Sequence, residues 1–91
     1  MNKSDLIAVV AEATGISRSE ATNAIDATFD TIADALENGD DVRLTGFGSF
    51  GVAERAARQG WNPRTREPIK IAASRQPKFK PGKRLKDAVN G

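Results

Sequence analysis

The feature that most limits how this chain can fold is the stretch from Ala53 to Gln76. It holds only three large apolar side chains, Trp61, Ile69 and Ile71, between flanks that alternate as strands do. A segment so poor in apolar surface cannot build a core of its own. Two arrangements accommodate it: a disordered basic loop, or a two-stranded ribbon standing out from the body. Ala53, Ala56, Ala57, Ala72 and Ala73 favour the ribbon, because small side chains keep it slim. Eight or nine residues per strand, at about 3.3 Å each, make an arm of roughly 25–30 Å. Its tip falls at Gly60-Trp61-Asn62-Pro63-Arg64-Thr65, where Asn-Pro is a turn opener.

The charge reverses along the chain. Residues 1–50 carry three basic and nine acidic side chains, a net −6, whereas residues 51–91 carry eleven basic and three acidic, a net +8. The overall +2 therefore conceals a dipolar molecule whose basic half suits a polyanion, either nucleic acid or an anionic membrane surface. A slim ribbon is also the shape that enters a groove about 6 Å wide.

The flanks read as ordinary folded structure. Asn2 caps a first helix, Asp5 sits in its first turn, Leu6, Ile7 and Val10 make an apolar stripe, and Gly15 ends it. Ser17-Arg18-Ser19-Glu20 is a capping box. It opens a longer helix with Ala21, Ile25, Thr28, Phe29, Ile32 and Leu36 on one face, Asp26, Asp30, Asp34 and Glu37 on another, and Gly39 as its stop. After Asp40-Asp41 the period shortens to two, with Val42 and Leu44, a turn at Gly46-Phe47-Gly48, then Phe50 and Val52. Phe47, Phe50 and Phe79 read as core. Pro81-Gly82 opens a short C-terminal helix. The fold class is thus α+β: a helix pair over about 3–38, β body and arm over about 41–80 with the arm at about 53–76, and a helix over about 83–90.

Composition excludes several functions. Without cysteine or histidine there is no disulfide, thiol nucleophile, imidazole base or usual zinc ligand set. The carboxylates Asp26, Asp30 and Asp34 recur every four residues, as a solvated helix stripe does, so neither an enzyme nor a metal site is expected. No cofactor or small-molecule substrate is expected either. No apolar run approaches membrane-spanning length and the N-terminus lacks a signal-peptide core, so a cytoplasmic protein without a membrane partner is expected. A domain of 91 residues buries only about 60–65% of its unfolded surface, so its stability calls for help from outside its own core.

The string Gly46-Phe47-Gly48-Ser49-Phe50, followed by Arg55, Arg58, Gly60, Asn62-Pro63 and Thr65, resembles the signature of the bacterial HU and integration host factor family. Asn2-Lys3, Gly39–Val42, Phe79, Gly82-Lys83 and Leu85–Asn90 extend the resemblance over essentially the whole chain. It implies an intertwined dimer, here expected to be a homodimer, with a helical body and two β-ribbon arms in the minor groove of double-stranded DNA, bent or nicked DNA being favoured. Each arm would insert Pro63 into a base step, a device of which this family is itself a well-known example. By the same carry-over Arg55, Arg58, Lys70 and Arg75 line the arm. Asn62, Arg64 and Thr65 hold the tip, and Lys3, Lys78, Lys80, Lys83 and Lys86 grip phosphates on the body. The implied role is a sequence-tolerant DNA-bending protein of the bacterial nucleoid.

Two residues depart from the family pattern. Trp61 stands where a basic residue is usual, and either stacks on an opened base or sugar or packs across the ribbon to stiffen it. Arg66 stands where glycine is common, adding a charge at a position that disfavours a side chain. A sequence-specific bender like integration host factor, and a basic RNA-binding or protein-interaction subunit, remain as alternatives. The end of the chain at Asn90-Gly91, with no longer tail, favours the HU type over the former.

Overall fold

The computed structural model describes residues 1–91. Three helices and five strands follow in the order α1 (Lys3–Thr14), α2 (Arg18–Glu37), β1 (Val42–Leu44), β2 (Gly48–Arg55), β3 (Arg58–Trp61), β4 (Pro68–Ile71), β5 (Ser74–Pro81) and α3 (Lys83–Asn90). The α+β class expected from the sequence is the class observed. Two compact units divide the chain, Met1–Asp34 and Ala35–Gly91.

In the first unit both helix starts are closed by capping boxes. The Asp5 N–H donates to the Asn2 side chain at 2.9 Å while the Asn2 N–H donates to the Asp5 carboxylate at 3.1 Å. Ser17 and Glu20 repeat the exchange at 3.0 and 3.1 Å, and the Ser17 backbone N–H, then its hydroxyl, hold the Glu20 carboxyl below the usual range. Such exchanges satisfy donors that a helix start otherwise leaves open. Gly15 takes a left-handed φ of 73° and returns its N–H to the Ala11 carbonyl, which stops α1. The buried apolar residues, Ala11, Ala21 and Ile25, all belong to this unit.

The second unit begins with the last turn of α2. Gly39, at φ 83°, donates to the Leu36 carbonyl and Asp40 donates to that of Ala35, which is the Schellman closure expected of a helix-ending glycine. A three-stranded antiparallel sheet in the order β1-β2-β5 follows. Gly48 is needed in it for space: a Cβ there would lie 2.6 Å from both the Lys80 carbonyl oxygen and the Phe79 ring. Phe50 lies opposite Phe79, with ring centroids 4.8 Å apart, and Phe47 approaches Phe79 at 5.5 Å, so the three phenylalanines form one cluster at the base of the sheet. Gly82 then donates to the Phe47 carbonyl at 2.8 Å and opens α3.

The stretch that could not form a core is the expected ribbon, not a disordered loop. β2 pairs with β5 out to Arg55 and Ser74, and β3 pairs with β4 from Arg58 and Ile71 outward. Between them the ladder lapses at Ala56-Ala57 and Ala72-Ala73, yet the register passes through unshifted. Facing alanines offer little cross-strand side-chain contact to reinforce the pairing there.

A single copy leaves this construction open. No large side chain is fully buried, and Phe29, Phe47 and Phe79 remain 51%, 48% and 41% exposed.

Candidate nucleic-acid interface

The tip is a four-residue loop closed by Asn62 and Glu67. The Asn62 N–H donates to the Glu67 carbonyl at 2.8 Å, and the Asn62 carbonyl accepts from the Arg66 N–H at 2.7 Å. The Asn62 side chain accepts from the Arg64 N–H at 2.9 Å, and the Thr65 hydroxyl accepts more weakly from the Glu67 N–H at 3.4 Å. Pro63 is bracketed by these bonds and exposed, and its missing N–H leaves no donor unsatisfied. The loop geometry demands a left-handed residue before Glu67. Arg66 supplies it at φ 59°, the only non-glycine with positive φ, so the substitution noted in the sequence keeps the loop at a cost of roughly 1 kcal/mol.

Below the tip the strands alternate. Cross-strand partners share a face, so Arg58, Gly60, Ile69 and Ile71 lie on one side of the β3–β4 ribbon, and Gln59, Trp61, Pro68 and Lys70 on the other. Trp61 is 71% exposed. Arg55 ends β2 and is exposed.

Arg75 does more than line the arm. Its guanidinium donates to the Leu36 and Glu37 carbonyls at 3.2 and 3.4 Å, at the negative end of α2. Part of its fork is thus spent on the helix terminus, and the remaining N–H groups stay available to an anion.

On the three-stranded sheet, Lys78 and Lys80 share a face with Ser49 and, across β1, with Arg43. Arg43 was not among the residues expected from the sequence; its period-two position beside Leu44 was the usable signal. Lys83 and Lys86 stand one turn apart on α3, and Lys83 has a loose, exposed contact to Asp87 at 3.9 Å. Arg84, also omitted, has its Cδ 3.9 Å from where a Gly46 Cβ would stand.

Lys3 lies in the other unit and is occupied. Its ammonium meets the Asp26 carboxylate at 2.6 Å, which raises its pKa, so a phosphate would have to compete with that carboxylate. The remaining basic candidates thus fall into the ribbon with its tip, the sheet face and α3. No group of three or more His, Cys, Asp or Glu is placed to hold a metal ion, and no helix is long and apolar enough to cross a membrane.

The ribbon thus ends in an exposed proline and continues in unshifted register into the strands that carry the basic face of the sheet. Residues 1–90 match the family model described as bacterial DNA-binding protein. The chain is 60% identical over 91 residues to DNA-binding protein HU 1 of Bacillus subtilis, covering 100% of this chain and 99% of that one. It is 53% identical to DNA-binding protein HRL53 of Rhizobium leguminosarum, with both chains covered fully. Among solved structures, the Anabaena HU–DNA cocrystal structure superposes with a TM-score of 0.89 at 43% identity, covering 98% of this chain and 97% of that one. HU from Thermotoga maritima gives 0.69 at 34%, with 98% of each chain covered.

Proposed function

The chain belongs to the bacterial DNA-binding protein family of HU proteins, and from that premise we propose that it binds and bends duplex DNA in the nucleoid with little demand on base sequence. The observation that carries the reading is the ribbon tip, where Pro63 is exposed at the end of an arm whose neighbours Arg55, Arg58, Arg64, Arg66 and Lys70 are cationic. An apolar ring without a donor can enter a base step and unstack it, and the surrounding cations then meet the phosphates of the bent duplex. Asn62 and Thr65 hold the loop that aims the ring; Arg75, Lys78 and Lys80 continue the contact toward the body, with Lys83 and Lys86 on α3. Lys3, held by Asp26 in the other unit, would have to give up that carboxylate before meeting a phosphate. The whole chain acts as one DNA-binding domain, with an architectural role that asks for no catalytic step.

A second copy completes it. The exposed Phe29, Phe47 and Phe79 and the lack of any fully buried large side chain support an obligate homodimer, which also supplies the second arm. Melting temperature should therefore rise with protein concentration, and a constant value over a hundredfold dilution rejects the obligate dimer.

The test of function separates attraction from bending. Affinity for duplex DNA should fall with salt at a log–log slope near −0.9 per phosphate neutralised. Pro63→Ala should keep most of that affinity while reducing the bend, measured at saturation by fluorescence transfer between the duplex ends. An unchanged bend angle rejects the wedge, and a salt slope near zero rejects the reading as a whole.

A further inference from the structure

Trp61 is the least explained side chain of the arm. The sequence allows it to stiffen the ribbon or to touch a ligand, and the geometry separates the two. Stiffening is done on the opposite face, where a Cβ on Gly60 would stand 2.7 Å from Ile71 Cδ1 and 3.7 Å from Ile69 Cγ1, so that Ile71 lies closely over the glycine. Trp61 lies on the other face, opposite Pro68, and is 71% exposed against 42% for Ile69 and 36% for Ile71. An indole folded down to brace the strands would be the more covered group. Its backbone is nonetheless firmly placed: Trp61 ends β3, and Asn62 beside it makes three of the hydrogen bonds that shape the loop. The exposed ring therefore stands at a set position two residues from Pro63, among the cations Arg64, Arg66 and Lys70.

A flat π surface in such surroundings suits a partner that is both anionic and aromatic. Charge complementarity selects nucleic acid, and the aromatic partner within it is a base. In intact duplex the base faces are covered by stacking, and they become available only where a step is opened. We propose that Trp61 stacks on a base left unstacked beside the Pro63 kink, so that the arm tip selects DNA by the availability of an open base face as well as by charge and groove width. This inference rests on the DNA-bending reading above. It gives binding a component that salt does not screen, because stacking neutralises no phosphate.

The test compares the unaltered protein with Trp61→Ala, Trp61→Phe and Trp61→Arg on three duplexes of one length: intact, with a central one-nucleotide gap, and with the same gap flanked by abasic sites. Trp61 is the sole tryptophan and tyrosine is absent, so indole emission reports the tip without background. Saturating gapped DNA should quench the emission and shield it from iodide, and abasic flanks should abolish both effects. Trp61→Ala should weaken gap binding by about tenfold to a hundredfold, with a smaller loss on intact duplex. Trp61→Phe should restore much of the gap preference. Trp61→Arg should restore affinity with a steeper salt slope but not the preference. Emission indifferent to the gapped duplex, or a gap preference that survives abasic flanks or Trp61→Ala, overturns the proposal. End-to-end fluorescence transfer on the intact duplex runs alongside. Bending retained with these negative results rejects stacking alone, whereas loss of bending in the unaltered protein rejects the function on which it rests.

Discussion

The base of the ribbon and its tip share one unbroken register, yet they are held by different forces. At the base, Gly48 is pressed between the Lys80 carbonyl and the Phe79 ring, and Phe47, Phe50 and Phe79 pack as one cluster. At the tip, the loop is shaped by backbone and Asn62 hydrogen bonds and by one left-handed arginine, and apart from Asn62 its residues are exposed. Between the two the pairing lapses at the alanines. The difference teaches how such an arm divides its work. Packing at the base resists change because volume there is committed, while the tip tolerates new side chains and so can vary its chemistry, as Trp61 and Arg66 do.

The sharpest way to break this comparison is at Gly48. Gly48→Ala places a methyl group against a strand carbonyl that cannot turn aside, so the expected loss is about 2–3 kcal/mol, at the upper end of overpacking costs. Thermal melting at fixed protein concentration measures it, and a loss under about 0.5 kcal/mol would show that the base yields as the tip does.

Arg75 sits between the two regimes. Arg75→Ala should destabilise by about 1 kcal/mol and speed amide exchange in the last turn of α2, since two carbonyls lose a charged donor. Arg75→Lys keeps the charge without the fork and should recover only part of the protection. Equal protection in all three proteins would reduce Arg75 to an arm cation.

Arg66→Gly should act in the reverse sense to Gly48→Ala. It relieves roughly 1 kcal/mol of left-handed strain at the tip, visible as slower exchange of the Arg64 and Glu67 amides, with little change in global melting. Salt dependence of DNA binding should become shallower by about 0.9 per arm if Arg66 neutralises a phosphate. Faster exchange at the tip would mean that the arginine side chain, not the loop bonds, holds the turn.

The smallest effect lies outside the ribbon, in the cap at Glu20. Its carboxyl titrates lower in the folded chain than in the unfolded one, so the cap's contribution is present above the unfolded pKa and disappears as pH falls through the folded value. Glu20→Gln should lower stability slightly at neutral pH, flatten that part of the acid limb of a stability–pH curve, and meet the unaltered protein at low pH, where Glu20 is protonated. An identical acid limb in both proteins would remove Glu20 from the titration.

Much of this was legible in the sequence because it depends on neighbours a few residues apart. The caps at Asn2 and Ser17, the stops at Gly15 and Gly39, and the hairpin turn at Gly46 are local chemistry, and each stands where its residues place it. The ribbon followed by elimination, since a stretch with three large apolar side chains had no core to enter. Charge reversal pointed to a polyanion by composition alone, and the resemblance carried by Asn62-Pro63 and the residues around it implied that the polyanion is DNA.

What the sequence by itself determined, then, was the order of elements, the arm, its cationic character and the polyanionic nature of the ligand. Tertiary structure alone decided which side chains are already engaged. Lys3 read as a phosphate contact on the body and Arg75 as a cation lining the arm, but Asp26 is 23 residues from one and the α2 carbonyls are 38 and 39 residues from the other. Gly48 read as a turn residue and proved to be a matter of space, and Trp61, open to two roles in the sequence, is exposed on the face opposite the one where Ile71 lies over Gly60. A cation, a glycine and an indole each have chemistry that suits several neighbours equally, and only folding selects which neighbour is present.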